Sequence, residues 1–363
     1  MRFSIVLGTR PEMVKMSPVV RELQRRGEEF DLVHTGQHYS FEMDRVFFRD
    51  LDLPQPAVNL EVGSGTHGAQ TGRMLIGLER TFQACRPDIV LVQGDTNTVL
   101  AGALAAAKMG IAVGHVEAGL RSFDRSMPEE VNRVLADHAS DLLFAPTEVS
   151  ARNLRVEGLP PERIFVTGNT IVDAVRQNLR LAMDRENALR ALGLSKGRYA
   201  LATLHRQENV DSPERLASIV HGLEATALRT GLDIIWPMHP RARKGLEAFG
   251  IGLPRGIRGV PPLGFLEFLR LESEAALVLT DSGGVQEECC IMGVPCVTLR
   301  DSTERPETVD VGANVVVGTE AARIVEGAMV MLARKGGWSC PLGEEGVAQR
   351  IIDICRDWRS KRG

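Results

Sequence analysis

Short apolar runs recur along the first half of the chain, at residues 3–7, 30–35, 88–92, 112–116, 142–145 and 164–166. They lack polar alternation, which predicts strands buried on both faces, as in a parallel sheet. Helical stretches separate them, roughly at 13–26, 70–85, 99–108 and 129–138. Strand and helix alternating at this spacing predict a doubly wound α/β domain. A charged helical stretch at 172–191 then runs into Gly193-Leu194-Ser195-Lys196-Gly197, and a domain boundary is expected within 170–195. The second half repeats the alternation. Strands are expected at 199–203, 233–237, 257–260, 276–280, 296–299 and 314–317, and helices at 213–229, 267–273, 285–292 and 321–334. A last helix covers 344–358. The expected division is 1–170 and 171–343, two Rossmann-like domains. In open α/β sheets the ligand crevice lies at the C-terminal ends of the strands.

Composition narrows the possibilities. The 363 residues are 44% hydrophobic, enough for a core in each of two domains. Aromatic residues make up only 5%, which disfavours an all-β sandwich or a base-stacking surface. Acids and bases are interspersed, for a net charge of -4, and no basic stripe marks a nucleic-acid partner. No 18-residue apolar stretch suggests a membrane span. The start, MRFSIVLGTRPE, does not read as a signal peptide. Cys85, Cys289, Cys290, Cys296, Cys340 and Cys355 form no CxxC pair and read as reduced, buried thiols of a cytoplasmic protein.

Polar residues that follow a strand point at the crevice. Leu7-Gly8-Thr9-Arg10-Pro11-Glu12 ends the first strand. Gly8 allows a tight turn, Pro11 suits a first helical turn, and Arg10 beside a helix N-terminus favours a phosphate. A simple turn with a solvated arginine is the blander reading. Asp95 and Glu117 follow two further strands and are expected to flank one crevice. Glu129 and Glu130 open a helix, where acids ordinarily cap, more so for Glu130. Carboxylates sharing a cleft can have their pKa values pushed apart into an acid and a base. In the second half, Thr203-Leu204-His205-Arg206-Gln207-Glu208-Asn209 leaves a strand, and His239 leaves another. A lone histidine is more often structural, but the His205-Arg206 cluster at a strand end points to function. Neither histidine has zinc spacing, so no metal is expected. Thr280-Asp281-Ser282-Gly283-Gly284-Val285 carries a strand through a Gly-Gly turn into a helix. The N–H groups of Ser282, Gly283 and Gly284 would cradle a phosphate, and Glu288, a turn further on, would meet ribose hydroxyls. The 300–307 segment, Arg300-Asp301-Ser302-Thr303-Glu304-Arg305-Pro306-Glu307, brings more charge to that edge.

Gly63-Ser64-Gly65-Thr66-His67-Gly68 matches GxGxxG by letter but lacks the strand and the later acid of a dinucleotide fingerprint, so it reads as a loop. No GxxxxGK[ST] is present. A nicotinamide role and P-loop chemistry are both disfavoured, and no cofactor is expected.

In order along nearly the whole chain, LGTRPE (7–12), TGQH (35–38), VQGDT (92–96), GHVEAGLRS (114–122), MPEEVNR (127–133), GNTIVDA (168–174), LHRQEN (204–209), TDSGGVQEE (280–288) and RDSTERPE (300–307) resemble the non-hydrolysing UDP-N-acetylglucosamine 2-epimerase family. The resemblance implies a GT-B-like fold, two domains facing across a cleft, a last helix at about 344–363 packing back on the first domain, and a homodimer. It implies that UDP binds mainly to the second domain. Ser282, Gly283, Gly284 and Arg10 would hold the diphosphate, Glu288 the ribose, the segment around Phe268 the uracil, with Arg305 near the nucleotide and Lys15 near the sugar. Arg206 and His239 join the substrate set. Asp95, Glu117, Glu129 and His205 fall on the family's catalytic positions. The implied chemistry is anti-elimination of UDP across C1–C2 to 2-acetamidoglucal, then re-addition. The residue types suit it independently. C2 has no adjacent carbonyl, so elimination needs a base, a clamp for departing UDP and an acid on the other face.

Bacterial relatives use a second UDP-sugar as activator. Gln37 matches the family's residue there, whereas Ser40 and Ala69 stand where those relatives carry Gln and Arg. The segments 66–75 and 122–130 also resemble relatives acting on UDP-2,3-diacetamido sugars and their uronic acids. A GT-B glycosyltransferase, a hydrolysing epimerase and an idle nucleotide-sugar binder remain as alternatives. The first lacks a visible acceptor segment, and the last would not need the set Asp95, Glu117, Glu129 and His205.

Overall fold

The computed structural model describes residues 1–37, 41–184, 188–334 and 336–361. His38 and Ser40 lie outside them. The chain divides into two compact units, Met1–Gln177 with Leu342–Gly363, and Asn178–Pro341.

The first unit carries β1 (Arg2–Leu7), α1 (Arg10–Arg26), β2 (Glu29–His34), α2 (Phe41–Asp50), β3 (Val58–Asn59), α3 (His67–Cys85), β4 (Ile89–Gln93), α4 (Asn97–Lys108), β5 (Ala112–Val116), α5 (Pro128–Ala139), β6 (Leu142–Ala145), α6 (Glu148–Val156) and β7 (Ile164–Val166). Then α7 (Thr170–Met183) runs past the division. The sheet is wholly parallel in the order β3-β2-β1-β4-β5-β6-β7. Strand order reverses between β1 and β4, where Ile5 pairs with Leu91. At such a reversal the loops after the two strands diverge and leave a crevice. β4 and β5 are buried throughout, which is why they read as unbroken apolar runs.

The second unit carries α8 (Ala188–Leu192), β8 (Tyr199–Thr203), α9 (Gln207–Val210), α10 (Pro213–Thr230), β9 (Asp233–Pro237), α11 (Pro240–Phe249), β10 (Ile257–Val260), α12 (Phe265–Glu274), β11 (Leu277–Thr280), α13 (Gly283–Met292), β12 (Cys296–Thr298), α14 (Pro306–Asp310), β13 (Asn314–Val316) and α15 (Ala321–Arg334). Its parallel sheet runs β10-β9-β8-β11-β12-β13, and order reverses between β8 and β11. Trp236, Leu279, Val297 and Ile324 are fully buried in one core around this sheet.

The last helix, α16 (Val347–Ser360), belongs to the first unit. It buries the stripe Val347, Ile351, Ile352 and Cys355. Asp173 accepts hydrogen bonds from the Gly346 and Ala348 N–H groups, both at 2.8 Å. Arg26 meets Asp353 at 2.5 Å. Among the described residues, no helix is long and apolar enough to cross a membrane.

Several expectations need correction. Helices begin earlier than their apolar periodicity does: α1 at Arg10, α3 at His67, α4 at Asn97 and α13 at Gly283. The stretch 172–191 is two helices, α7 and α8, and the last helix begins at Val347. The GxGxxG look-alike is loop only through Thr66, because His67 and Gly68 open α3. Two cysteines, Cys85 and Cys340, are half-buried and not buried.

Candidate functional site

Each unit gathers its polar residues where its strand order reverses. In the first unit, β1 ends at Leu7, Gly8 follows it, and Thr9 is the N-cap of α1. Glu12 Oε2 accepts the N–H groups of Gly8 at 2.6 Å and Thr9 at 2.9 Å. Arg10 opens the helix, and its guanidinium lies 5.5 Å from the centre of the Phe47 ring. Beyond β4, Gly94 turns the chain with a φ of 88°, and Asp95 follows. Asp95 accepts from Arg133 Nη2 at 2.5 Å, and the same guanidinium reaches Glu130 at 2.8 Å.

Glu117 follows β5 with a φ of 68°. That is a left-handed conformation, uncommon and costly for a residue with a side chain. Three donors hold its carboxylate: Lys15 Nζ at 2.5 Å, Asn169 Nδ2 at 2.8 Å and the Gln93 side-chain amide. A strained backbone beneath a carboxylate clamped from three elements marks a position where side-chain direction matters more than local comfort. Behind it, the His115 ring spans Asp137 Oδ1 at 2.7 Å and the Gly94 carbonyl at 2.8 Å. Burial opposes charge on His115, but Asp137 outweighs it and raises the imidazole pKa. Arg121 completes the cluster at 2.7 Å from Asp137.

A cavity of about 350 Å³ opens here, lined by Gln37, His67, Gln70, Asp95, Asn97 and Glu129 among others. The two carboxyls on α5 divide their tasks. Glu130 is buried and accepts from Ser122 N at 2.9 Å and Phe123 N at 3.0 Å, so it fixes the preceding loop. Glu129 is exposed at the cavity wall. Gln37 is buried, with Oε1 accepting the Thr98 hydroxyl at 2.8 Å, and Ala69 is exposed on α3.

In the second unit, β8 delivers His205 and β11 delivers Asp281 to the same reversal. Asp281 is fully buried and lies 3.0 Å from His205 Nδ1. It also accepts the N–H groups of His205 at 3.1 Å and Arg206 at 3.0 Å. Burial pushes the Asp281 pKa up, but the hydrogen bond from His205 and those N–H groups win, so it falls below the usual carboxylate range. With Nδ1 engaged, Nε2 is the ring nitrogen left for a ligand, and the side chain is 40% exposed. A carboxylate that orients an imidazole in this way prepares it for proton transfer. His239 lies alongside, ring centres 6.2 Å apart, its pKa lowered by burial and then by the neighbouring His205 and Arg241 side chains.

Ser282 caps α13, and its side chain accepts from Val285 N at 3.5 Å. Gly283 and Gly284 form the first turn. A β-carbon on Gly283 would meet nothing within 4 Å, and one on Gly284 only Ser282 Oγ at 3.9 Å. Neither glycine is imposed by packing or by a positive φ. Their effect is to leave the helix N-terminus open to close approach by an anion. Glu288 is buried one turn on, and Glu272, 0% exposed on α12, accepts from Cys289 Sγ at 3.2 Å. Burial, then the charge of Glu288, push the Glu272 pKa well above the usual carboxylate range. Arg305 Nε lies 2.6 Å from Glu287, Arg206 is 4.0 Å from Glu304, and Phe268 on α12 packs against the core beneath α13.

The structure thus brings together Asp95, Glu129 and Gln37 in one unit, with Glu117 and Lys15 paired behind, and His205, Arg206 and His239 in the other. Sequence reasoning missed Asp281 as the partner of His205, and Asn169, Gln93, Glu12 and Glu272 as partners of carboxylates or turns. Asp281, Gln93, Asn169 and Glu12 each left a signal, because each lies inside a motif already singled out, whereas Glu272 left none.

Clamped carboxylates in one doubly wound unit, and a carboxylate-held histidine beside an open helix N-terminus in the other, define an acid–base enzyme for an anionic, nucleotide-type ligand. A family model described as UDP-N-acetylglucosamine 2-epimerase matches residues 21–356, and the chain belongs to that family. It is 53% identical over 361 residues, 98% of each chain, to a Methanocaldococcus jannaschii protein named UDP-N-acetylglucosamine 2-epimerase. A crystal structure of Methanocaldococcus jannaschii UDP-GlcNAc 2-epimerase in complex with UDP-GlcNAc and UDP matches at 52% identity and a TM-score of 0.86, over 98% of this chain and 99% of that one. A Pseudomonas aeruginosa UDP-2,3-diacetamido-2,3-dideoxy-D-glucuronate 2-epimerase is 43% identical, over 92% of this chain and 93% of its own. The GT-B-like fold is shared with a Streptomyces nogalater glycosyltransferase at 15% identity and a TM-score of 0.55, over 98% of this chain and 99% of that one.

Proposed function

We propose that this enzyme interconverts UDP-N-acetylglucosamine and UDP-N-acetylmannosamine. A base removes the C2 proton, the C1–O bond breaks, and UDP leaves with the bonding pair, giving 2-acetamidoglucal. Re-addition of UDP at C1, with a proton delivered to the other face of C2, completes inversion. The observation that carries the reading is the likeness over 98% of both chains to a protein named for this activity.

In the first unit, Asp95, Glu117 and Glu129 supply the acid–base groups. Lys15 holds Glu117 and stands near the sugar, Arg10 supports the diphosphate, and Gln37, in the cavity lining, meets the UDP-sugar. In the second unit, which binds UDP, the N-terminus of α13 at Ser282, Gly283 and Gly284 takes the diphosphate, and Glu288 takes the ribose hydroxyls. Phe268 serves the uracil side, and Arg206, His239 and Arg305 complete the anion's surroundings. His205, oriented by Asp281, assists departure and return of UDP. A charge-stabilising donor aimed at the leaving group is worth several kcal/mol in such a step. The route needs no net redox change. The protein acts in the cytoplasm as a homodimer, and its product supplies polysaccharide synthesis.

A second reading concerns the sugar alone. The 43% identity to a 2,3-diacetamido uronate epimerase favours a substrate with an acetamido group at C3. Proton NMR in D2O decides between them. UDP-N-acetylmannosamine with deuterium at C2 is the expected product. Reaction only with a 2,3-diacetamido sugar nucleotide moves the assignment to that substrate, and free N-acetylmannosamine with UDP makes the enzyme hydrolytic.

A further inference from the structure

The strand reversal between β1 and β4 makes neighbours of two turns, Gly8–Arg10 and Gly94–Asn97. Glu12, 2% exposed on the first turn of α1, touches both. Its Oε2 accepts Gly8 N at 2.6 Å and Thr9 N at 2.9 Å, and the Thr9 bond is the glutamate half of a capping box. Its Oε1 does something a cap does not need: it accepts the hydroxyl of Thr96, the residue after Asp95 and the N-cap of α4.

We propose that Glu12 is a positioning residue that ties the turn after β1 to the loop after β4 and so sets the direction of Asp95. The inference rests on the epimerase reading, in which Asp95 moves a proton.

Three features support it. Thr96 Oγ1 also accepts from Val99 N at 3.4 Å, so its single hydroxyl proton points to Glu12. The turns have no slack, because a β-carbon on Gly8 would lie 2.1 Å from Thr98 Oγ1 and 2.3 Å from Thr35 Oγ1. Asp95 is held on its other side from α5, by Arg133 through its carboxylate and by Asn132 through its carbonyl at 2.9 Å. Glu12 therefore supplies the second of two anchors.

The anchor is sensitive to protonation. Burial lifts the Glu12 carboxyl to about 7 against the bonds from Thr96, Gly8 and Thr9. Asp95 is the charged group facing it across the turns, and Arg133 is paired with Asp95. On α1 itself Arg10 and Lys15 flank it, with Lys15 engaged by Glu117. Once protonated, Glu12 must donate to Thr96, and the direction of that bond reverses. Glu12→Gln imposes the same reversal at every pH, because its carbonyl can still take Gly8 and Thr9 while its NH2 faces Thr96.

The test is kcat and KM between about pH 6 and pH 8.5 for wild type, Glu12→Gln and Thr96→Val, with UDP affinity by calorimetry and the unfolding temperature. Both variants are expected to lower kcat at the upper end by up to about a hundredfold. UDP affinity should stay within a few-fold, and the wild-type fall in kcat on acidification through about pH 7 should be lost. A kcat within about twofold of wild type with the same acidic limb overturns the proposal. If Glu12→Gln does not fold, Thr96→Val decides alone, since it leaves the α1 cap intact. A wild-type protein that epimerises neither UDP-sugar overturns the functional reading and this inference with it. An active wild type with an indifferent Glu12→Gln overturns this inference only.

Discussion

Replacing Glu117 with Gln removes one charge and leaves volume almost unchanged. In the fold, Glu117 Oε1 takes Lys15 Nζ at 2.5 Å and Asn169 Nδ2 at 2.8 Å, while Oε2 takes the Gln93 amide. Either orientation of a glutamine turns its NH2 toward a donor. A flip of Gln93 can relieve one such clash, but it cannot restore the charge opposite Lys15. The two side chains are 12% and 5% exposed, so the pair is largely out of water. Breaking a buried pair by removing one partner costs about 3–5 kcal/mol. The residual exposure of Lys15 and the carbonyl a glutamine still offers place the cost near the lower end, about 3 kcal/mol. For a unit of roughly 200 residues that corresponds to about 6–12 °C in Tm. Calorimetric unfolding of Glu117→Gln, Lys15→Met and the double variant completes a cycle. The double variant should be more stable than the sum of the singles predicts, by more than about 1 kcal/mol, because it buries no uncompensated charge. Strict additivity, or a single-variant shift under about 2 °C, would refute the claim that this pair is desolvated and coupled.

Asp281→Asn should leave UDP affinity within a few-fold and reduce kcat by about 10²-fold, because His205 loses the carboxylate that orients it; an unchanged kcat in the NMR assay would remove His205 from proton transfer. Glu288→Ala should weaken UDP binding by about 1–3 kcal/mol in calorimetry, and an unchanged Kd would mean the ribose lies elsewhere. Glu12, raised from 4.5 to about 7, holds a proton in the fold that the unfolded chain has released. Its contribution to stability is therefore fully present below about pH 4.5 and lost as pH rises through about 7. Relative to Glu12→Gln, the wild type should lose about 3 kcal/mol over that window in urea unfolding, and a pH-independent difference would contradict the burial of this carboxyl.

The strands were legible because a parallel sheet covered on both faces turns each strand into an unbroken apolar run, as at Ile89–Gln93. Apolar periodicity places helix starts late for a reason that bears on function. Apolar periodicity begins only where a helix face reaches the core. The first turn is polar, and its N–H groups are bonded by caps or left for ligands. Gly283 and Gly284 ahead of Val285, and Arg10 ahead of Met13, are therefore both the residues periodicity omits and the residues proposed to meet the diphosphate. Elements missed outright are short: β3 has two residues, and α2, α6 and α11 have ten, nine and ten, under three helical turns each.

Chemistry-bearing residues were legible one at a time, because a charged side chain directly after a buried strand stands at the crevice by topology alone. Their partners were not. Lys15 and Glu117 are 102 positions apart, and His205 and Asp281 are 76 apart. Only the strand order, with β1, β4 and β5 side by side and β8 beside β11, turns those separations into contacts. The difference matters, because a lone carboxylate or histidine at a strand end fits many enzymes. A carboxylate clamped by a lysine on a left-handed backbone, and a histidine whose Nδ1 is already engaged, fit far fewer. What sequence reading lacked was the set of donors that fixes each group's charge and direction, and that set is what Glu117→Gln, Asp281→Asn and Glu12→Gln each remove or alter one member of.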